Sequence, residues 1–274
     1  MVDASGVELR LAHPPRRIVS LLPSTTETLC ALGLAEALVG VTAYCVEPRE
    51  LVRHKPRVGG TKDPDLEKIR ALAPDLVVAN IEENERAHVE ALRAWAIPVW
   101  VTYPRTVAGG IRMIAELGEI TGARPRAAAI VGELEAALAR VSEATATRSA
   151  VDVFYAIWRE PYMTINADTY IHDVLAVSGG RNVFADRSER YPTVTLDEVA
   201  ARRPALILLP DEPYRFRRAH LQDFKGCGGR IHLVDGKVFS WYGPRIAEAL
   251  RAVPALLTSC GSAGSSRATA PRRP

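Results

Sequence analysis

Two stretches of this chain repeat each other at an offset of 130 residues, and the repeat constrains the fold more than any other feature. DLEKIRALAPDLVV (65–78) aligns with TLDEVAARRPALIL (195–208), pairing Leu66 with Leu196, Glu67 with Asp197, Ile69 with Val199, Ala71 with Ala201, Pro74 with Pro204 and Leu76 with Leu206. Each copy reads as an acidic, N-cap-like start, a short amphipathic helix, a proline stop and a buried strand. Agreement in kind continues to Glu82 and Glu212. A chain that carries one helix–Pro–strand unit twice is expected to fold as two similar lobes.

The class follows from the apolar pattern. Short runs rich in Val, Ile and Leu alternate with helical patterns: IVSLL (18–22), LVGV (38–41), DLVVA (75–79), PVWVT (98–102), VDVFYAI (151–157), ALILL (205–209) and RIHLV (230–234). Continuous apolar runs between helices predict parallel strands buried on both faces, hence an α/β fold. Residues 123–148 carry Ile130, Val131, Leu134, Leu138 and Val141 at helical spacing and read as one stiff connecting helix. The expected organisation is therefore an α/β lobe over 1–122, the helix over 123–148, a second α/β lobe over 149–258 and a disordered tail over 259–274. The Gly-rich stretches VGG (58–60), SGGRN (178–182) and KGCGGR (225–230) read as turns.

Charge excludes one class of partner. Lys plus Arg number 35 against 32 Asp plus Glu, and the tail supplies Arg267, Arg272 and Arg273 with no acid, so the body is neutral. A neutral body with 24% charged residues argues against nucleic acid as partner. No apolar run approaches the roughly 18 residues that cross a bilayer, so no membrane span is expected. Asp3 and Glu8 precede the first apolar stretch, which is not a secretory signal. The chain as written is expected to be cytoplasmic, or periplasmic or cell-surface if a leader has been removed.

Catalytic and metal signatures are lacking. Cys30, Cys45, Cys227 and Cys260 show no paired metal spacing, and His13, His54, His88, His172, His220 and His232 form no HxxH or HExxH. Cys45, beside Tyr44, reads as an unreactive loop thiol or a soft metal ligand. No nucleophile, base and orienter set emerges, so no catalytic residue and no metal are expected.

In parallel sheets ligands meet the loops after the carboxyl ends of the strands. After the first strand, Ser24 and Glu27 fit a capping box, either an ordinary helix start or a set of amides facing a ligand. Tyr44, Tyr103, Trp158, Tyr162, Tyr214, Trp241 and Tyr242 fall in or just after strand ends. They suit a large, partly polar ligand, or anchor packed loops. Lys62, Glu82, Glu83, Asn84, Arg86, Arg105, Arg159, Glu160, Asp168 and Arg245 interleave with them, as solvated charge or as ligand contacts.

RRIVSLLPSTTETLCALGLAEALVGVTAYCVEP, RVGGTKDPDLEKIRALAPDLVVAN, HDVLAVSGGRNVF, TVTLDEVAARRPALILLP and SWYGPRIAEAL, in this order, resemble the vitamin B12-binding receptors of ABC importers. These belong to the helical-backbone, or class III, substrate-binding proteins that also serve iron-siderophores and haem. The resemblance covers about residues 14–256. It implies two Rossmann-like three-layer lobes joined by one rigid helix, with cobalamin or a related corrinoid held between them. It implies a monomer that delivers its small-molecule ligand to an ABC permease. Tyr44 matches an aromatic lining the ligand site, and SWYGPR, ending at Arg245, matches a loop at that site. Glu67 and Asp197 match the acids that dock on the permease.

The departures have consequences. Thr61 and Asn80 stand where the B12 receptors carry tryptophans, with Lys62, Glu82 and Glu83 beside them, which points to a ligand more polar than intact cobalamin. Ser178 and Ala252 occupy the places of the periplasmic homologue's disulfide, which favours a cytosolic relative. The expected ligand contacts are Tyr44, Thr61, Lys62, Asn80, Glu82, Glu83, Tyr103, Arg105, Trp158, Arg159, Tyr162, Trp241, Tyr242 and Arg245, with Glu67 and Asp197 docking a partner. Two rivals remain: a siderophore, haem or other metal-chelate receptor whose Arg105, Arg159 and Arg245 pair with carboxylates, and an enzyme using Glu82, Glu83 or Asp168.

Overall fold

A computed structural model describes residues 1–261. The chain runs β1 (Ile18–Ser20), α1 (Pro23–Ala31), β2 (Leu38–Val41), α2 (Arg49–Val52), α3 (Leu66–Ala71), β3 (Leu76–Asn80), α4 (Arg86–Ala94), β4 (Val99–Thr102), α5 (Val107–Thr121) and α6 (Arg124–Thr145). It continues through β5 (Val151–Tyr155), α7 (Tyr170–Val177), β6 (Gly180–Asn182), α8 (Leu196–Arg202), β7 (Leu206–Pro210), a tight 3-10 stretch (Arg218–Cys227), β8 (Arg230–Val234), α9 (Gly236–Ser240) and α10 (Ile246–Gly261). Among the described residues no helix is long and apolar enough to cross a membrane.

Residues gather into two compact units, one of Met1–Ala136 with Trp241–Ile246, the other of Ala137–Ser240 with the residues from Ala247 onward. The division falls inside α6, so that helix supplies residues to both. The sequence pattern placed a tail from 259 on; α10 continues through Gly261, with Ser259 Oγ donating to the Leu256 carbonyl at 2.8 Å, and the rest of that expectation lies outside the described residues.

Each unit holds one four-stranded parallel sheet, ordered β2-β1-β3-β4 in the first and β6-β5-β7-β8 in the second. The α/β expectation stands, and the repeat is its finest expression. Ser20 pairs with Val78 in one sheet and Tyr155 with Leu208 in the other, and Val78 and Leu208 are repeat partners. Asp65 caps α3 by accepting the Lys68 N–H at 3.0 Å, and Thr195 caps α8 by accepting the Glu198 N–H at 3.1 Å. Ile69 and Val199 are both fully buried. Ala73 (φ 42°) and Arg203 (φ 48°) take the left-handed conformation at matching places, ending each helix just before its proline. Every residue of β3 and β7 is buried, which is why these strands read as unbroken apolar runs.

Two local expectations need correction. SGGRN is not only a turn: Gly180–Asn182 forms the edge strand β6, pairing Val151 with Gly180 and Val153 with Asn182. An edge strand needs one hydrogen-bonded side, and at Gly180 an added Cβ would lie 3.1 Å from the Leu175 carbonyl oxygen, so glycine suits the site. The capping box is absent at Ser24 and Glu27 and present instead at Thr195 and Glu198. Pro23 takes the first helical position and Leu22 is the cap residue, which places Ser24 already inside the helix.

Candidate functional site

In the first unit a hydroxyl network sits beneath the strand ends. Thr25 and Thr26 donate to the Leu22 carbonyl at 3.0 and 2.9 Å, and Ser20 joins both hydroxyls at 3.0 and 2.8 Å. The Cys45 thiol meets Thr26 and Thr42 hydroxyls, each at 3.1 Å. Burial pushes this thiol up from its ordinary range, against the pull of those hydroxyls and Arg57, so it stays protonated. Burial likewise pushes the Cys30 thiol up to about 11. Cys45 is thus the unreactive loop thiol. Arg57 secures the same loop, donating to the carbonyls of Thr42 (2.9 Å), Cys45 (2.8 Å) and Val52 (3.2 Å). Tyr44 rides on this anchored loop at 62% exposure.

The loop after β3 is organised by Asn80, which is 2% exposed. Its Nδ2 donates to the Thr102 carbonyl (3.0 Å), the Thr102 hydroxyl (3.3 Å) and Tyr242 Oη (2.7 Å). Its Oδ1 accepts the N–H of Glu82 (2.8 Å) and Glu83 (3.2 Å). Asn84 completes the turn, accepting the Asn80 N–H at 2.8 Å and donating to the Thr61 carbonyl at 2.8 Å. Asn80 therefore shapes the loop from beneath. Lys62 donates to the Glu82 carbonyl. Glu83 reaches solvent, yet the protein crowded around it pushes its carboxyl up, with Lys62 opposing and Glu82 reinforcing. After β4, the Arg105 guanidinium lies 5.4 Å from the Tyr103 ring centre.

Trp241–Ile246 belongs to this first unit although it follows the strands of the second. Tyr242 meets Asn80, and Arg245 Nε donates to Glu27 Oε2 at 2.9 Å while its guanidinium sits 5.1 Å from the Trp241 ring centre. Gly243 lies between them at φ 104°, where a Cβ would fall 2.2 Å from Thr28 Oγ1, so only glycine fits. Trp241 and Tyr242 are each 7% exposed.

In the second unit the expected aromatics divide. Trp158 is 43% exposed, with the Tyr214 ring edge-on at 5.5 Å. Tyr162 packs edge-on against Phe224 at 5.2 Å and donates to Asp223 Oδ2 at 2.6 Å; burial and that bond push its hydroxyl up to about 12. Tyr162, Phe216, Phe154 and Phe184 form with Phe224 an aromatic core, so part of the aromatic surplus at strand ends is core packing. Arg159 pairs with Asp223 at 3.1 Å and with Glu160. Asp168 pairs with Arg190 at 2.9 Å.

Two rival sets of residues are already engaged. Arg159 and Arg245, invoked for a carboxylate-rich chelate, meet protein carboxylates. Asp168, one of the carboxylates invoked for an enzyme, is ion-paired with Arg190, while Glu83 combines an exposed surface with a carboxyl pushed up by the protein around it. Among the described residues no group of three or more His, Cys, Asp or Glu could hold a metal. Glu67 and Asp197 are exposed in the first turns of α3 and α8. Sequence reasoning missed Asn84, Arg57 and Asp223 as organisers; only Asn84, an Asn four residues after Asn80, carries a local signal.

A family model described as periplasmic binding protein matches residues 18–225. A vitamin B12-binding protein of Photorhabdus laumondii is 30% identical over 195 residues, 71% of this chain and 70% of that one. Its counterpart in Pectobacterium carotovorum is 28% identical over 257 residues, 92% of each chain. Among solved structures, the periplasmic vitamin B12-binding protein of Vibrio cholerae superposes with a TM-score of 0.80 at 23% identity, covering 91% of this chain and 99% of that one. An apo periplasmic haem-binding protein of Roseiflexus gives 0.80 at 22% identity, covering 89% and 98%. These likenesses establish a shared fold.

Proposed function

The chain belongs to the periplasmic binding protein family, and from that premise we propose that it is a non-enzymatic receptor for cobalamin or a related corrinoid, serving ABC-type uptake. The observation that carries this reading is the run of vitamin B12-binding relatives matched over most of their length. Two features of the chain support it. Tyr44 and Trp158 present exposed aromatic faces after β2 and β5, suited to a large, partly polar ligand. Lys62, Glu82 and Glu83 supply polar groups for the amide edge of a corrin ring. Thr61 and Asn80 shape that loop. The cytosolic placement expected from the N-terminus draws no support from relatives of a periplasmic family.

Cyanocobalamin titration, followed by tryptophan quenching, tests the reading; no binding at about 100 μM removes it. Tyr44→Ala is expected to weaken binding about tenfold while leaving the unfolding transition in place, because the side chain is 62% exposed. The visible spectrum of freshly purified protein separates a corrinoid from haem.

Glu67 and Asp197 are the proposed docking acids for a permease. They occupy repeat-equivalent positions and form no ion pair among the described residues, whereas the neighbouring Glu198 is engaged by Thr195 and Arg187. Joint charge reversal, E67R with D197R, is expected to weaken capture by a cognate permease about tenfold without changing cyanocobalamin affinity. Unchanged capture removes the assignment.

A further inference from the structure

An open cavity of about 480 Å3 lies in the second unit, between the loop after β7 and the end of β8. Its walls include Asp211, Arg215, Phe216, Arg217, Leu233 and Asp235. Phe216, one of its walls, packs on Phe224 at 6.4 Å and meets the Tyr214 ring at 4.9 Å, and Tyr214 in turn meets Trp158. Arg215 and Arg217 line the cavity beside Phe216.

The arginines of this cavity meet no carboxylate among the described residues. Arg159, Arg181, Arg187, Arg190 and Arg202 of the same unit are ion-paired, whereas Arg215 and Arg217, like Arg148, Arg203, Arg218 and Arg251, form no ion pair among the described residues. Asp211 and Asp235 line the same cavity but are turned toward the backbone: Asp211 Oδ1 accepts the Gly236 N–H at 2.8 Å, and Asp235 Oδ1 accepts the Lys237 N–H at 2.9 Å. Each leaves its second oxygen without a hydrogen bond among the described residues. Leu233, 41% exposed on the edge strand, adds an apolar wall.

Two guanidiniums without a carboxylate partner and two carboxylates, each with one oxygen held by a backbone N–H, line the same cavity and complement a molecule that carries an oxyanion and hydroxyl donors. We propose that this cavity is a second small-molecule site, which binds a hydroxylated phosphate or carboxylate through Arg215 and Arg217, with Asp211 and Asp235 accepting its hydroxyls. The proposal does not rest on the corrinoid reading, and competition with cyanocobalamin tests whether the two sites are separate.

Calorimetric titration of the full chain tests it with three probes: ribose 5-phosphate, citrate and uncharged ribose. At least one of the two anions is expected to bind with one site per chain, and which one does so distinguishes a phosphate ligand from a carboxylate ligand. Ribose is expected not to bind. Arg215→Gln with Arg217→Gln is expected to weaken the bound anion by about tenfold or more, as for loss of charge-assisted hydrogen bonds. The control pair Arg53→Gln with Arg86→Gln, which removes the same charge from the first unit, is expected to change nothing. Binding of neither anion at about 10 mM, or equal weakening by the control pair, overturns the proposal. Displacement of the bound anion by cyanocobalamin overturns it too, since the cavity would then be part of the corrinoid face.

Discussion

Asn80→Leu is expected to destabilise the first unit by about 2 kcal/mol, measured by urea unfolding, and to weaken cyanocobalamin binding with it. Leucine keeps the branching of asparagine at Cγ while replacing its amide by methyl groups, so the polar partners are what it removes. Nδ2 serves Thr102 and Tyr242, and Oδ1 serves the amides of Glu82 and Glu83. Removing it takes one bond from the Thr102 carbonyl, which keeps the Ile81 N–H at 3.1 Å, and one from the Tyr242 hydroxyl, at about 1 kcal/mol each. The two amides belong to partly exposed residues and can turn to water, which limits their share. The loop bearing Glu82 and Glu83 then loses its anchor, so the binding defect should exceed that of Tyr44→Ala. A stability loss below about 1 kcal/mol would show that Asn80 is not the organiser of the loop.

The two-lobe architecture was legible because its determinants are local. A capped start, one buried helix residue at Ile69 or Val199, a left-handed stop and a buried strand lie within about fourteen residues and recur at 130. β6 was hidden because a three-residue edge strand that opens on glycine, Gly180–Asn182, has no apolar alternation to read. The helix start at Ser24 was misread because Ser, Thr and Glu spacing fits a capping box whether or not the preceding proline has already begun the helix. Strand-end loops were correctly located, and so were the exposed rings of Tyr44 and Trp158. The roles of the remaining residues depend on partners that the chain brings from far away. Tyr242 reaches Asn80 across 162 positions and Arg245 reaches Glu27 across 218, distances over which no spacing rule operates. Aromatic content misled for a related reason: composition counts rings, while only the fold separates those around Phe224 from those facing solvent.

Glu27→Ala should cost about 3 kcal/mol, and the pattern across a double-mutant cycle should show why. Glu27 and Arg245 are 13% and 18% exposed, and their contact at 2.9 Å joins the first helix to a segment that follows the strands of the second unit. Removing the carboxylate leaves a guanidinium with little access to water, stacked on Trp241 and held by the turn that Gly243 forces. Halving a poorly hydrated ion pair is costlier than replacing the whole pair by apolar groups, so Glu27→Ala should be worse than the joint replacement of Glu27 and Arg245 by methionine. The double variant is expected to lie within about 1 kcal/mol of the unsubstituted protein, since methionine fills irregular space without asking for a partner. Denaturant unfolding of Glu27→Met, Arg245→Met and the double variant gives the coupling directly. If the losses simply add, the ion pair contributes nothing specific to holding the segment.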